Sequence, residues 1–184
     1  MPLPRSVCVF CGSRLGNRDS YAAAATAVGR LIAGQGWRLV FGAGEIGLMG
    51  RAAEAAKAAG GQTLGIIPQH MIGREAGRGR HGEMVVTENM HERKKVMFMN
   101  SDAILVLPGG AGSLDEFFEV LTWRQIGLHE KPIFLLNVEG YWDPLLRLID
   151  HVIEAGFAEP TLARYSAVVP DVETLAARLR AALS

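Results

Sequence analysis

Short apolar runs and longer stretches with helical apolar spacing alternate along this chain from end to end. Ser6 to Cys11, Trp37 to Phe41, Gln62 to Ile67, Glu83 to Thr87, Ala103 to Leu107, Pro132 to Leu136 and Ala167 to Val169 read as strands. Val, Ile, Leu or Phe dominate these runs, and Gly, Pro or Asn closes most of them. Helices read from Asp19 to Ala33, Leu48 to Ala59, Met90 to Asn100, Asp143 to Ala155 and Val172 to Leu183, and another begins at Ser113. Gly34 and Gly36 stop the first helix, and Pro68 stops the third strand. Continuous apolar strands belong in a parallel sheet covered by helices on both faces. The pattern predicts one α/β domain over residues 1–184, doubly wound and Rossmann-like, with a seven-stranded parallel sheet. Ligands of such sheets bind beyond the carboxyl ends of the strands, which is where this chain puts its glycine-rich turns. Residues 68–82, rich in glycine and arginine with no apolar period, read as a long loop of the functional or disordered kind.

Composition narrows the function. Nineteen basic residues balance nineteen acidic ones, which argues against a protein whose main work is gripping nucleic acid or an anionic membrane. Hydrophobic residues make up 49% of the chain, yet no run reaches the roughly 18 apolar residues that a bilayer span needs. Met1 to Arg5 lacks the layout of a signal peptide, so a cytoplasmic protein is expected.

The strand ending at Leu107 leads into Pro108-Gly-Gly-Ala-Gly-Ser-Leu-Asp-Glu116. A glycine turn that opens a helix leaves backbone N–H groups free to hold an anion. Ser113 is a good N-cap, and Glu116 would complete a capping box with it. Glu116 is therefore either a cap or a carboxylate beside a phosphate cradle. Gly42-Ala-Gly-Glu-Ile-Gly47 matches G-x-G-x-x-G between a strand and a helix. It follows the second strand, however, and the next strand lacks the acidic residue that grips a dinucleotide's ribose. A tight turn fits better, or a mononucleotide site where Gly42 and Gly44 let backbone approach the ligand. No P-loop motif occurs.

The remaining candidates are weaker alone. Arg93, Lys94 and Lys95 stand early in a helix, where cations oppose the macrodipole; they either face solvent or aim at an anion. Cys8 and Cys11 are spaced C-x-x-C, but within a strand such residues point to opposite faces, which favours buried thiols over a redox or metal pair. The histidines lack metal-ligand spacing. Met97-Phe98-Met99 reads as core or subunit-contact packing, and Thr122 lies within reach of a ligand at Glu116.

Taken together these segments resemble the LOG (Lonely Guy) family of cytokinin-activating nucleoside 5′-monophosphate phosphoribohydrolases, many of whose bacterial members are labelled lysine decarboxylase-like. The resemblance rests on Val9-Phe-Cys-Gly-Ser13, Gly47-Leu-Met-Gly50, Met90-His-Glu-Arg-Lys94, Pro108 to Glu116, Leu121-Thr-Trp123, Lys131-Pro132 and Leu136 to Tyr141. It implies that Gly109, Gly110, Ala111, Gly112 and Ser113 hold a substrate 5′-phosphate and that Arg93 and Glu116 are the catalytic pair. Lys94, Thr122 and Glu75 would line the nucleotide site, joined by Gly42, Gly44 and Ser13. Three departures bear on substrate preference: Ser113 replaces the motif threonine, Ala43 stands where glycine is frequent, and Arg14 replaces a common serine.

The implied reaction hydrolyses the N-glycosidic bond of a purine nucleoside 5′-monophosphate, AMP or a cytokinin-type relative, to free base and ribose 5-phosphate. A carboxylate can stabilise the oxocarbenium-like transition state or orient the water. Arg93 is too weak an acid to be a routine proton donor. No metal or other cofactor is called for, and the resemblance implies a homodimer contacting through the Met97 and Trp123 segments. The rival readings are a non-catalytic nucleotide or molybdopterin-type carrier of the same fold, and a decarboxylase needing pyridoxal phosphate on a lysine.

Overall fold

A computed structural model describes residues 4–73 and 82–184. Among them the chain forms β1 (Ser6–Phe10), α1 (Asp19–Gly34), β2 (Arg38–Phe41), α2 (Gly47–Ala58), β3 (Gln62–Pro68), β4 (Glu83–Thr87) and α3 (Met90–Met99). There follow β5 (Ala103–Val106), α4 (Ala111–Gln125), β6 (Ile133–Leu136), α5 (Asp143–Glu154), β7 (Ala167–Val169) and α6 (Val172–Leu183). The strands make a 7-stranded parallel sheet in the order β4-β3-β2-β1-β5-β6-β7. The chain walks outward from β1 to β4, returns to the centre at β5 and walks the other way. Its topological switch point therefore lies between β1 and β5, where Val7 pairs with Ala103 and Phe10 with Val106.

Period-two alternation sorts the strand residues into two cores. Val7, Val9, Leu39, Phe41, Leu105 and Phe134 face α1, α2 and α6. Phe10, Val40, Leu64, Ile66, Ile104 and Leu135 face α3, α4 and α5. Each fully buried side chain of this size contributes about 1.5–3 kcal/mol. The alanine-rich face of α2 follows from its distance to α1, for a side chain on Gly29 would meet the Ala52 carbonyl oxygen at 2.1 Å. The last strand at one edge, β4, leaves Met84, Val85 and Val86 partly exposed, so coverage of the sheet is thinnest there.

Most element ends fall within a residue of the sequence expectation, and two differences change the picture. Pro68 does not precede the end of β3; it is the last paired residue, opposite Thr87. More consequentially, α4 begins at Ala111 rather than Ser113, with Gly110 at the N-cap and no side-chain capping bond. Gly110 is extended, at φ −97° and ψ −152°, so the helix springs directly from the glycine turn. The expected capping box between Ser113 and Glu116 is therefore absent. No helix of the described residues is long and apolar enough to cross a membrane.

Candidate active site

Beyond the carboxyl ends of β1 and β5 lies a cleft of about 580 Å³. Two loops make its floor, and backbone bonds fasten them together. The Gly12 N–H donates to the Pro108 carbonyl at 3.0 Å, and the Leu107 N–H donates to Phe10 at 2.9 Å. The Gly12 carbonyl in turn accepts from the N–H groups of Leu48 and Met49 at the start of α2. Gly109, Gly110, Ala111, Gly112 and Ser113 all line the cleft, as does Ser13 from the other loop. The first helical bond of α4 runs from the Leu114 N–H to Gly110 at 3.1 Å. The N–H groups of Ala111, Gly112 and Ser113 thus lack an acceptor within the helix, and an anion is the partner such a terminus favours.

Arg93 enters the cleft from α3. Its side chain is only 4% exposed, and backbone carbonyls replace the water it has lost. Nε donates to Ile66 at 3.1 Å and one terminal nitrogen donates to Gly42 at 2.6 Å. Met90, one turn earlier, places its sulfur 3.7 Å from the other terminal nitrogen. This gives Gly42 a definite task. A Cβ there would sit 2.0 Å from the guanidinium, so glycine is what allows Arg93 to reach the carbonyl. The neighbouring Ala43 holds a left-handed φ of 59°, at a cost of about 1 kcal/mol for a residue with a side chain.

Glu116 lies in the second turn of α4, 8% exposed and lining the same cleft. Burial raises its pKa from an ordinary 4.5 to about 7; the nearby Arg93 charge opposes that rise, and Asp115 adds to it. The carboxyl group is therefore poised between its two protonation states near neutrality. A buried guanidinium and a buried carboxyl of tunable charge face one cleft, beside a helix N-terminus that favours an anion.

The other expected site residues are placed as follows. Lys94 is 6% exposed, but it turns to α4, where Nζ meets Asp115 at 2.9 Å and Glu119 at 3.2 Å. Burial alone would lower its pKa; the hydrogen bonds to those carboxylates carry it above the ordinary lysine range. Asp115, which sequence reasoning passed over, links Lys94 to the cleft that it also lines. Thr122 is exposed on α4, and neither it nor Lys94 borders the cleft of this chain. Gly42 and Gly44 are buried behind Arg93 and Met49, the Gly44 N–H lying 3.2 Å from the Met49 sulfur. Arg14 is exposed and lines the cleft. Glu75 lies outside the described residues. Met97 is core, 1% exposed, while Met99 on the same helix is 66% exposed.

Cys8 and Cys11 join opposite cores, and burial pushes both thiols well above the ordinary range, as the strand periodicity implied. Two cleft residues carried no chemical signal in the sequence. Tyr141 comes from the turn after β6 and Tyr21 from α1; the one clue available was that Tyr141 ends the Leu136 to Tyr141 motif segment and Tyr21 follows the Val9 to Ser13 one.

A family model described as "Possible lysine decarboxylase" matches residues 49–179. The donor set does not suit that label, since pyridoxal phosphate needs a lysine for its Schiff base and no lysine is among the described residues lining the cleft. Relatives point elsewhere. The cytokinin riboside 5′-monophosphate phosphoribohydrolase LOG5 of Arabidopsis thaliana is 42% identical over 96% of this chain and 78% of its own length. A probable enzyme of the same name from Oryza sativa, LOGL9, is 43% identical over 95% of this chain and 77% of its own. Among solved structures, the molybdenum cofactor carrier protein of Chlamydomonas reinhardtii superposes with a TM-score of 0.75, covering 98% of each chain. Its 22% identity speaks for a shared fold alone. With the family model spanning most of its length and close relatives matching nearly all of it, this chain belongs to the LOG family.

Proposed function

We propose that this protein hydrolyses the N-glycosidic bond of a purine nucleoside 5′-monophosphate, releasing free base and ribose 5-phosphate. The observation that carries the proposal is the convergence of buried Arg93 and Glu116 on a cleft floored by the head of α4. The 5′-phosphate sits against the N–H groups of Ala111, Gly112 and Ser113, with Gly109, Gly110 and Ser13 beside it. The C–N bond at the anomeric carbon breaks, water adds its oxygen to that carbon, and the departing base takes a proton from solvent, to which Glu116 returns the one it removes from the water. Ionised Glu116 faces the positive charge that develops on the sugar and takes the proton of the attacking water. A pKa near 7 suits that exchange. Arg93 keeps its charge throughout, favours the ionised form of Glu116 through that charge and offsets charge on the departing base.

Lys94, Thr122 and Glu75 are proposed nucleotide-site residues by their match to the family motifs. We further propose a homodimer in the cytoplasm, joined through the α3 and α4 surface on which Met99, Phe118 and Ile126 are exposed at 66%, 37% and 63%. A carrier of a phosphorylated cofactor would need the anion site alone. A buried glutamate held away from its ordinary pKa weakens the fold, and binding without turnover gives no reason to keep it.

The test incubates the protein with AMP, N6-isopentenyl-AMP and other nucleoside monophosphates and follows free base by chromatography. Base release from at least one monophosphate is expected. Glu116→Gln should lose about a thousandfold in kcat or more while still binding the nucleotide. Full activity in that variant, or no release from any monophosphate, overturns the proposal. The same samples should elute at twice the 19.8 kDa chain mass by light scattering, and a monomer overturns the dimer.

A further inference from the structure

The turn from β6 to α5 is built to bring one ring back onto the glycine loop. Glu139 and Gly140 are both left-handed, at φ 51° and 72°, and for Glu139 that conformation costs about 1 kcal/mol or more. Asn137 clamps the turn. Its side-chain oxygen accepts from the Trp142 N–H at 2.7 Å, and its amide donates to Asp143 at 2.8 Å. Glu139 reaches across to Arg18 and pairs with it, tying the turn to the loop after β1. Exposed as it is, that ion pair is worth little energy and acts mainly on direction. The outcome is Tyr141, which lines the cleft and donates its hydroxyl to the Gly109 carbonyl at 2.5 Å. Its ring meets Tyr21 edge-on at 5.5 Å and Trp142 at 4.8 Å, so the hydroxyl is held where it is.

The peptide that Tyr141 grips lies between two glycines, Gly109 and Gly110, and such a plane turns with little steric resistance. In a trans peptide the C=O and N–H point in opposite directions. Holding the Gly109 carbonyl therefore also aims the N–H of Gly110, the N-cap of α4. We propose that Tyr141 is a positioning residue for substrate phosphate: its hydroxyl selects one orientation of the Gly109–Gly110 peptide and so presets the N–H groups of the loop for the 5′-phosphate. The assignment rests on the phosphoribohydrolase reading of the cleft. The Tyr141 hydroxyl is spent on the Gly109 carbonyl, so its contribution belongs to phosphate binding rather than to bond breaking.

Tyr141→Phe in the full chain keeps the ring and deletes only the hydroxyl. Calorimetric titration with inorganic phosphate and with ribose 5-phosphate is expected to show about tenfold weaker affinity than the parent, or 1.4 kcal/mol. KM for a nucleoside 5′-monophosphate should rise by a similar factor with kcat nearly unchanged. Any slow hydrolysis of the unphosphorylated nucleoside should be unaffected, a split that general loosening of the fold would not give. Unchanged phosphate affinity in Tyr141→Phe overturns the role of Tyr141 and leaves the proposed activity standing. A parent protein that binds neither phosphate nor ribose 5-phosphate overturns the cradle itself. If Tyr141→Phe loses its cooperative melting transition, Glu139→Gln loosens the same turn from outside the cleft. It should weaken phosphate binding two- to threefold, and no weakening there counts against the proposal.

Discussion

Two glycine loops stand at carboxyl ends of neighbouring parts of the same sheet, and they do different work. The loop at 42–47 carries the better-known spacing, yet its first glycine makes room for a side chain of this protein: the Gly42 carbonyl receives Arg93, and a Cβ would collide with it at 2.0 Å. The loop at 109–113 borders open cleft, and a Cβ on Gly110 or Gly112 would meet nothing within 4 Å. One loop is glycine because something is already there. The other is glycine at 110 and 112 because space is kept beside it, while its first glycine, Gly109, is hemmed in by Ser113, whose Oγ a Cβ would meet at 2.0 Å. A glycine motif acquires its meaning from what approaches the backbone, and spacing alone does not reveal that.

Substitutions at the two loops should separate these roles. Within the loops themselves, Gly42→Ala has the largest expected effect, because Arg93 must leave the Gly42 carbonyl or the strand end must shift. Overpacking of this kind costs about 1–3 kcal/mol in unfolding free energy, and misplacing the guanidinium should lower kcat/KM by about a hundredfold. Parent-like kinetics and melting would show that Arg93 does not depend on the first loop.

Glu116, on the helix that leaves the second loop, adds to its loss of turnover an effect on stability that depends on pH. Its folded pKa of about 7 lies above the ordinary 4.5, so the folded chain binds this proton more tightly than the unfolded chain does. The contribution to stability is complete below pH 4.5, shrinks as pH rises toward 7, and is gone above that. Glu116→Gln, neutral at every pH, should match the parent in denaturant titrations near pH 4.5 and exceed it by roughly 3 kcal/mol at pH 8. Equal stability at both pH values would mean the carboxyl group is not buried as described. Gly112→Ala should change least. It adds a methyl facing open space in the first turn of α4, so melting should stay level or improve by up to about 1 kcal/mol. Its readout is a raised KM for the nucleotide, and an unchanged KM would remove that glycine from the phosphate site.

Much of the architecture could be read from the chain because strands apolar on both faces are conspicuous as runs of Val, Ile and Leu. Strand and helix ends mostly fell within a residue of the structure. The start of α4 did not, since Ser113 is a good capping residue by type while the extended backbone of Gly110 takes the position instead. That Arg93 and Glu116 border one cleft was legible through paired motifs. What holds them was not. Nothing local ties residue 93 to the carbonyl of residue 42, or the Tyr141 hydroxyl to Gly109, because parallel crossovers bring together segments far apart in sequence. Lys94 was expected on the nucleotide, and its pairing with Asp115 and Glu119 depends on how two helices lie against each other. Ala43 shows a different limit: residue type argued against a left-handed backbone there, and the surrounding turn imposes it.

The placement of Arg93 has a consequence for how relatives of this chain should be judged. Its guanidinium braces the ends of two adjacent strands through Ile66 and Gly42, so a lineage that abandoned the chemistry would still lose structural integrity by discarding it. Glu116 carries the opposite incentive, because near neutrality it weakens the fold that contains it. Drift after loss of activity would therefore erase the glutamate first and spare the arginine, which makes the glutamate the more informative fossil of turnover.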